Sequence, residues 1–144
     1  MVTDRFATAC LVVILSHLYY PFRHICMLLI ILDLSSHWLR VVASLLVGEG
    51  HKKIKTGFLL RIYYENRIVL GLVCLGNEMF YIFAYMGYFF PIIEIFDLQL
   101  EIFWYAMLLC FPVFALKQLL NIIQLQYSAC EIVEWEYVNE HQKK

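Results

Sequence analysis

Four long apolar segments limit the folds that this chain can adopt. They occupy residues 6–20, 25–47, 68–90 and 102–125, and they raise the hydrophobic share of the 144 residues to 62%. A transmembrane helix needs about 20 apolar residues to cross a bilayer, so the last three segments are long enough and the first is short. Because lipid offers no hydrogen-bond partner to an open backbone, spanning segments form helices or closed barrels. We therefore predict an all-α, polytopic membrane bundle of four transmembrane helices, built as one domain over residues 1–144.

The polar stretch 48–67 divides the four apolar segments into two pairs. It carries five of the eleven Lys and Arg residues, whereas 92–101 carries three acidic residues and no basic one. Loops rich in Lys and Arg tend to stay on the cytosolic side of a membrane. We therefore predict that the basic stretch and both termini are cytosolic. The polar tail, 126–144, is predicted to be an amphipathic helix end that lies on the membrane interface.

The charge balance and the cysteines argue against several other classes of protein. The formal net charge is −1, so the chain has no global basic field for nucleic acid, and we expect no nucleic-acid partner. The five cysteines are dispersed and include no C-x-x-C pair. Such a set predicts neither a disulfide framework nor a zinc site.

Three ionisable residues lie inside the second apolar segment. Asp33, His37 and Arg40 follow one another at spacings of four and three, which places them on one face of a helix. Ionisable side chains in a span usually face a bundle interior or a water-filled cavity, because exposure to lipid is costly. We predict an inward polar seam formed by these three residues. The seam is either a set of buried ion pairs that specifies helix register or a polar site reached from the cytosol.

Four basic residues of the stretch 48–67 are candidates for contacts with phosphate or a lipid headgroup. Two of them stand six residues apart in the segment R-I-Y-Y-E-N-R. Arginine suits phosphate because its planar guanidinium donates two parallel hydrogen bonds. The alternative is that the lysines only determine topology. The four candidates are Lys52, Lys53, Arg61 and Arg67.

Several short motifs occur in an order and spacing that resemble one known family. They are M-V-T-D-R-F-A-T-A-C-L-V-V-I-L-S at 1–16, S-H-W-L at 36–39, G-H-K at 50–52 and R-I-Y-Y-x-x-R at 61–67. Together they resemble the eukaryotic phosphatidylinositol synthases, most closely the plant form, within the CDP-alcohol phosphatidyltransferase family. The resemblance implies transfer of a phosphatidyl group from CDP-diacylglycerol to myo-inositol, with release of CMP.

The resemblance assigns a catalytic role to Asp4. The family signature is D-G-x2-A-R-x8-G-x3-D-x3-D, often followed by Arg, and residues 1–5 match only its end. Asp4 falls on the final aspartate, which the family uses as proton acceptor and as a neighbour of its Mg²⁺ or Mn²⁺ ions. The earlier aspartates of the signature have no counterpart in this sequence. The resemblance therefore implies a metal site to which this chain contributes Asp4 alone.

These departures lead to an expectation about the whole protein. We expect an amino-terminally truncated form, with the carboxy-terminal four helices of a six-helix fold, and little or no activity from the 144 residues alone. The resemblance also implies a homodimer in the endoplasmic reticulum, or in the Golgi. Two alternatives remain open: a non-catalytic membrane subunit that pairs with a full-length synthase, and an unrelated four-span scaffold.

Overall fold

Helices make up nearly all of the computed structural model, which describes residues 2–47, 66–90, 93–95 and 98–142. The four long helices are α1 (Val2–Leu18), α2 (Arg23–Val47), α3 (Arg67–Phe89) and α4 (Ile102–Gln142). A single 3₁₀ turn, Tyr20–Phe22, lies between α1 and α2. A small antiparallel hairpin lies between α3 and α4, formed by β1 (Ile93–Ile95) and β2 (Leu98–Leu100).

The predicted all-α membrane bundle is confirmed. Three helical segments are long and apolar enough to cross a membrane, namely Tyr20–Leu46, Ile68–Phe89 and Ile102–His141. The apolar part of α1, Arg5–Leu18, is shorter. A helix of 17 residues extends for about 25 Å, against about 30 Å of hydrocarbon. The hairpin lies in the segment 92–101, which carries three acidic residues and is called the acidic loop below. The sequence patterns did not predict this hairpin.

Local sequence explains where two of the helices begin or end. The main-chain N–H of Tyr19 donates to Leu15 O, and the 3₁₀ turn that follows contains Pro21 near its start. Proline has no N–H to donate, which favours the first positions of a helical turn over its interior. At the start of α3, Asn66 Oδ1 accepts a hydrogen bond from the N–H of Ile68 at 3.0 Å, as expected of an N-cap residue.

The four helices form a ring in the order α1, α2, α4, α3, so that each packs against two others. The pairs α1–α2 and α3–α4 are antiparallel, whereas α2–α4 and α1–α3 run parallel. One apolar cluster, Val12, Leu15, Tyr81 and Ala84, joins α1 to α3. A second cluster, centred on Val73 and Leu120, joins α3 to α4. The ring leaves the inner faces of all four helices available for a shared core.

The tail predicted at 126–144 is helical as far as Gln142, as expected of a helix end. Helix α4 is continuous for 41 residues, about 60 Å or roughly twice the hydrocarbon thickness. Within the predicted tail, Glu131 Oε2 accepts a hydrogen bond from Arg40 NH1 of α2 at 2.9 Å. The tail therefore begins as a continuation of α4 that contacts α2 at Glu131, and its position on the membrane interface stays a prediction.

Candidate functional site

The inner face of α4 carries a stripe of polar side chains over three turns. Lys117, Asn121, Gln124 and Ser128 follow one another at spacings of four, three and four, and each is at most 1% exposed. Residues at these spacings share one side of a helix. Polar groups buried to this extent require hydrogen-bond partners, so the stripe determines which helices can pack against α4.

Helix α2 supplies partners for this stripe. Asn121 Nδ2 donates to Asp33 Oδ1 at 3.0 Å, and Gln124 Nε2 donates to the main-chain oxygen of Ser36 at 3.0 Å. The oxygen of the same Asn121 amide accepts a hydrogen bond from Lys117 Nζ at 2.8 Å. Asn121 thus joins a buried carboxylate to a buried ammonium group. A neutral amide can do so because it donates and accepts at once.

Helix α1 contributes Arg5 to the same region. Arg5 is 5% exposed, and its NH1 lies 3.8 Å from Asp33 Oδ2, while its NH2 lies 3.4 Å from Glu78 Oε1 of α3. The buried network therefore draws on all four helices. It contains two basic and two acidic groups, so each sign of charge is balanced near the middle of the bundle, as burial of charge requires.

The predicted seam of Asp33, His37 and Arg40 is divided between two places. His37 Nδ1 lies 3.7 Å from Asp33 Oδ1 and 2.8 Å from the main-chain oxygen of Asp33, so these two residues belong to the network. Arg40 instead forms its ion pair with Glu131. Asp33 and Arg40 contact α4 through Asn121 and Glu131, whereas the hydrogen bonds of His37 stay within α2. The structure does not bring Arg40 to Asp33.

A second polar contact joins α3 to α4 beside the network. Gln118 Nε2 donates to Asn77 Oδ1 at 3.1 Å, and Asn77 is buried. A pocket of about 410 Å³ lies next to the network between α1 and α2, lined by Arg5, Ser35 and His37 together with apolar side chains. The buried polar groups of α3 and α4 thus also meet beside the network.

The other predicted site residues are only partly described. Asp4 lies in the first turn of α1 and Arg67 is the first residue of α3, but both side chains lie outside the described part of the structure. Lys52, Lys53 and Arg61 lie outside the described residues altogether. The roles assigned to these five residues stay predictions.

The described side chains do not by themselves fit a divalent metal site. Among them, no group of three His, Cys, Asp or Glu side chains is close enough to hold a metal ion. Asp33 and Glu78, the two carboxylates of the network, are engaged by Arg5 and Asn121. A carboxylate held by cations and amide donors is a poor ligand for a hard divalent ion.

Sequence reasoning left five network residues out of the predicted seam: Arg5, Glu78, Lys117, Asn121 and Gln124. The 4–3–4 spacing of polar residues from Lys117 to Ser128 is visible in the sequence and was a sufficient signal for a buried face. It was overlooked because the end of this stripe was assigned to the tail. Arg5 had no such signal, since a basic residue at the start of an apolar segment commonly lies at the membrane surface.

Comparison with known proteins identifies the family. CDP-diacylglycerol–inositol 3-phosphatidyltransferase of Candida albicans is 35% identical over 150 residues, covering 100% of this chain and 60% of the relative. The rat enzyme of the same name is 34% identical over 149 residues, covering 100% of this chain and 68% of the relative. An Arabidopsis thaliana enzyme of this name, numbered 1, is 46% identical over 85 residues, covering 57% of this chain and 37% of the relative.

The chain thus spans about two thirds of the length of curated relatives such as these. No family model matches the chain, and no solved structure matches it significantly. Two of the matches cover the whole chain. The chain belongs to the CDP-diacylglycerol–inositol 3-phosphatidyltransferase family.

Proposed function

We propose that this protein acts in phosphatidylinositol synthesis, by transfer of a phosphatidyl group from CDP-diacylglycerol to myo-inositol. The observation that carries the proposal is the identity of 34–35% over the whole chain to enzymes named for this reaction. The bundle of long apolar helices suits a reaction whose lipid substrate and lipid product both reside in a bilayer. The activity is proposed for the whole protein, since the chain spans only part of its relatives' length.

In this reaction Asp4 is proposed to act as the general base. A hydroxyl oxygen of inositol forms a bond to the phosphorus of the phosphatidyl group, the bond from that phosphorus to the CMP oxygen breaks, and the hydroxyl proton passes to the Asp4 carboxylate. The support for this role is the position of Asp4 at the end of the motif in residues 1–5, in the first turn of α1.

Mg²⁺ or Mn²⁺ is proposed as the cofactor on the strength of the resemblance alone. The described side chains hold no cluster that fits such an ion, so no step is assigned to it here. Lys52, Lys53, Arg61 and Arg67 are proposed to contact the phosphates of CDP-diacylglycerol. Their support is the concentration of positive charge in 48–67 and the suitability of guanidinium groups for phosphate.

The proposed setting is the endoplasmic reticulum membrane, with the basic stretch and both termini on the cytosolic side and a second copy of the protein as partner. An even number of spans places both termini on one side, and the asymmetry between the basic stretch and the acidic loop favours the cytosol for that side.

The test measures lipid synthesis in membranes of a bacterial host that makes no phosphatidylinositol. The product of the complete natural transcript and the 144 residues alone are expressed in parallel and supplied with CDP-diacylglycerol, labelled inositol and Mn²⁺. We expect labelled phosphatidylinositol and CMP from the former, and little from the 144 residues alone. Asp4→Asn should lower the rate by about 10²–10⁴-fold, the usual contribution of a general base.

The matched control for this variant is Glu101→Gln, which removes the same charge from an exposed position just before α4. It should leave the rate of synthesis within about twofold, as is usual for surface changes away from a site. Absence of labelled lipid from every form of the protein would count against the proposed function. Full activity of Asp4→Asn would count against the role of Asp4 alone.

A further inference from the structure

The buried face of α1 changes from apolar to polar toward the first turn of the helix. Arg5, Thr8, Val12 and Leu15 follow one another at spacings of three, four and three, and all are at most 9% exposed. Val12 and Leu15 pack against Tyr81 and Ala84 of α3, with further apolar side chains around them. This apolar cluster fixes the second half of α1. The first half needs other contacts to define its position.

The guanidinium of Arg5 supplies such contacts to two neighbouring helices. Its NH1 approaches Asp33 Oδ2 of α2 at 3.8 Å and its NH2 approaches Glu78 Oε1 of α3 at 3.4 Å. The two nitrogens of a planar guanidinium have a fixed separation and direction, so contacts to carboxylates on both sides restrict rotation of α1 about its axis. Asp33 is itself held by Asn121 at 3.0 Å, so it offers a fixed anchor.

We propose that Arg5 is a positioning residue for catalysis, which fixes the orientation of the first turn of α1 and thereby of the adjacent Asp4. Consecutive residues of an α-helix are turned by about 100° from each other. The direction in which position 4 leaves the helix is therefore set once position 5 is held between α2 and α3. This inference rests on the proposed function, because Asp4 has its role only in that reaction.

A purely structural role of Arg5 predicts a different outcome from a positioning role. Loss of an ion pair that only stabilises the fold lowers the amount of folded protein but leaves the rate per folded molecule unchanged. Loss of a positioning contact lowers kcat in protein that is still folded, because a displacement of about 1 Å at a reacting group can reduce the rate by about 10²-fold. The Arg40–Glu131 pair offers a control, since it also joins two helices through an arginine but lies on α2 and α4, away from α1.

The kinetic experiment compares Arg5→Gln, Arg5→Lys and Arg40→Gln in the product of the complete transcript, per molecule of folded protein. We expect Arg5→Gln to reduce kcat by about 100-fold, with KM for inositol within about threefold of the wild-type value. Arg5→Lys should recover part of kcat, because it keeps the charge but cannot engage both carboxylates with a rigid fork. Arg40→Gln should leave kcat within about twofold.

A distance measurement gives a readout that does not depend on activity. The five native cysteines of the chain are first changed to serine. Cysteines that carry spin labels then replace the exposed Phe6 on α1 and the exposed Leu75 on α3. Double electron–electron resonance measures the distribution of distances between the two labels. We expect one narrow distribution for the parent protein and for Arg40→Gln. Arg5→Gln should give a broadened or shifted distribution.

The two readouts separate failure of the inference from failure of the proposed function. An unchanged kcat in Arg5→Gln overturns the inference, and so does a loss of kcat that Arg40→Gln shares. If the parent protein makes no phosphatidylinositol, the proposed function fails. The distances then decide whether Arg5 fixes the end of α1: a broadened distribution supports this part of the inference, and an unchanged one overturns it.

Discussion

Among single residues, Asn121 bridges two oppositely charged side chains in the interior of the bundle. It has no exposed surface, it donates to the Asp33 carboxylate at 3.0 Å, and it accepts from the Lys117 ammonium group at 2.8 Å. A buried charge that loses a hydrogen-bond partner keeps the cost of its desolvation. The same argument applies to Arg5, whose burial is tolerated because carboxylates from two helices lie beside it.

Asn121→Leu should destabilise the protein by about 2 kcal/mol. Leucine has a similar branched shape but neither a donor nor an acceptor, so Asp33 on α2 and Lys117 on α4 itself each lose one hydrogen bond. A hydrogen bond between helices in membranes is usually worth about 1–2 kcal/mol or less, and a bond to a charged group about 1.5–3 kcal/mol. The measurement is unfolding by sodium dodecyl sulfate in mixed micelles, followed by circular dichroism. Ile122→Leu, a change at a lipid-exposed position, is the control and should change stability by less than about 0.5 kcal/mol. Equal stability of Asn121→Leu and the parent protein would refute the role of the amide as a bridge.

Among the helices, α3 and α4 approach each other closely at a point where a glycine faces a valine. A Cβ atom added at Gly76 would lie 2.6 Å from Val113 Cγ1, well inside normal van der Waals contact. Small residues at helix interfaces in membranes allow this approach, and dispersion contacts then hold the helices together. Because valine is branched at Cβ, its side chain has few rotamers through which to withdraw. The contact therefore sets the separation of the two helices at this point.

Gly76→Ala should destabilise the bundle by about 1–3 kcal/mol through overpacking against Val113. The same unfolding assay measures the loss, and Val113→Ala in the same chain should recover part of it. Gly71→Ala is the matched control on the same helix, because an added Cβ there meets nothing within 4 Å. It should be neutral or stabilising, since alanine favours helix more than glycine does. Equal effects of the two alanines would show that packing against Val113 does not limit the interface.

At the scale of the whole molecule, the described residues place polar side chains beside small apolar clusters in the interior and many large apolar side chains on the exterior. Large apolar side chains are widely exposed, including Leu45, Ile68 and Leu109 at 77%, 73% and 80%, while Lys117, Asn121 and Gln124 are buried. This distribution suits lipid as the surrounding medium, because lipid chains solvate apolar side chains and leave hydrogen bonds and packing to associate the helices. It also explains why the small apolar clusters of the ring are supplemented by a network of polar contacts.

The orientation of the bundle can be tested with glycosylation acceptors. A cassette containing N-x-S/T is inserted between Phe96 and Asp97, or added after Lys144, and each protein is synthesised in the presence of microsomes. Asparagine in this motif is glycosylated only on the lumenal side. We expect glycosylation of the cassette in the acidic loop and none at the tail. The basic stretch should remain in the cytosol, and both termini should lie on the same side of the membrane as that stretch. Glycosylation at the tail would reverse the proposed topology.

The sequence was sufficient to predict the helices and most of the polar faces on them. The positions of α2 and α3 follow from apolar segments bounded by polar or turn-forming residues, and the inward side of α2 follows from the spacing of Asp33 and His37. The polar stripe of α4 has the same kind of signal. Its continuation to Glu131, which pairs with Arg40 of α2, does not follow from composition, because a polar stripe on a helix end is equally typical of a helix that lies on a membrane interface.

The sequence by itself therefore determined the all-α class, the membrane environment and the family, because these depend on hydropathy, helical spacing and the order of motifs along the chain. Only the tertiary structure decided which polar groups meet. Asp33 with Asn121 and Arg40 with Glu131 are 88 and 91 residues apart, and both contacts exist because α2 and α4 are neighbours that run parallel in the ring. Helical periodicity states which residues share a face, but the choice of partner for each face depends on how all four helices pack together.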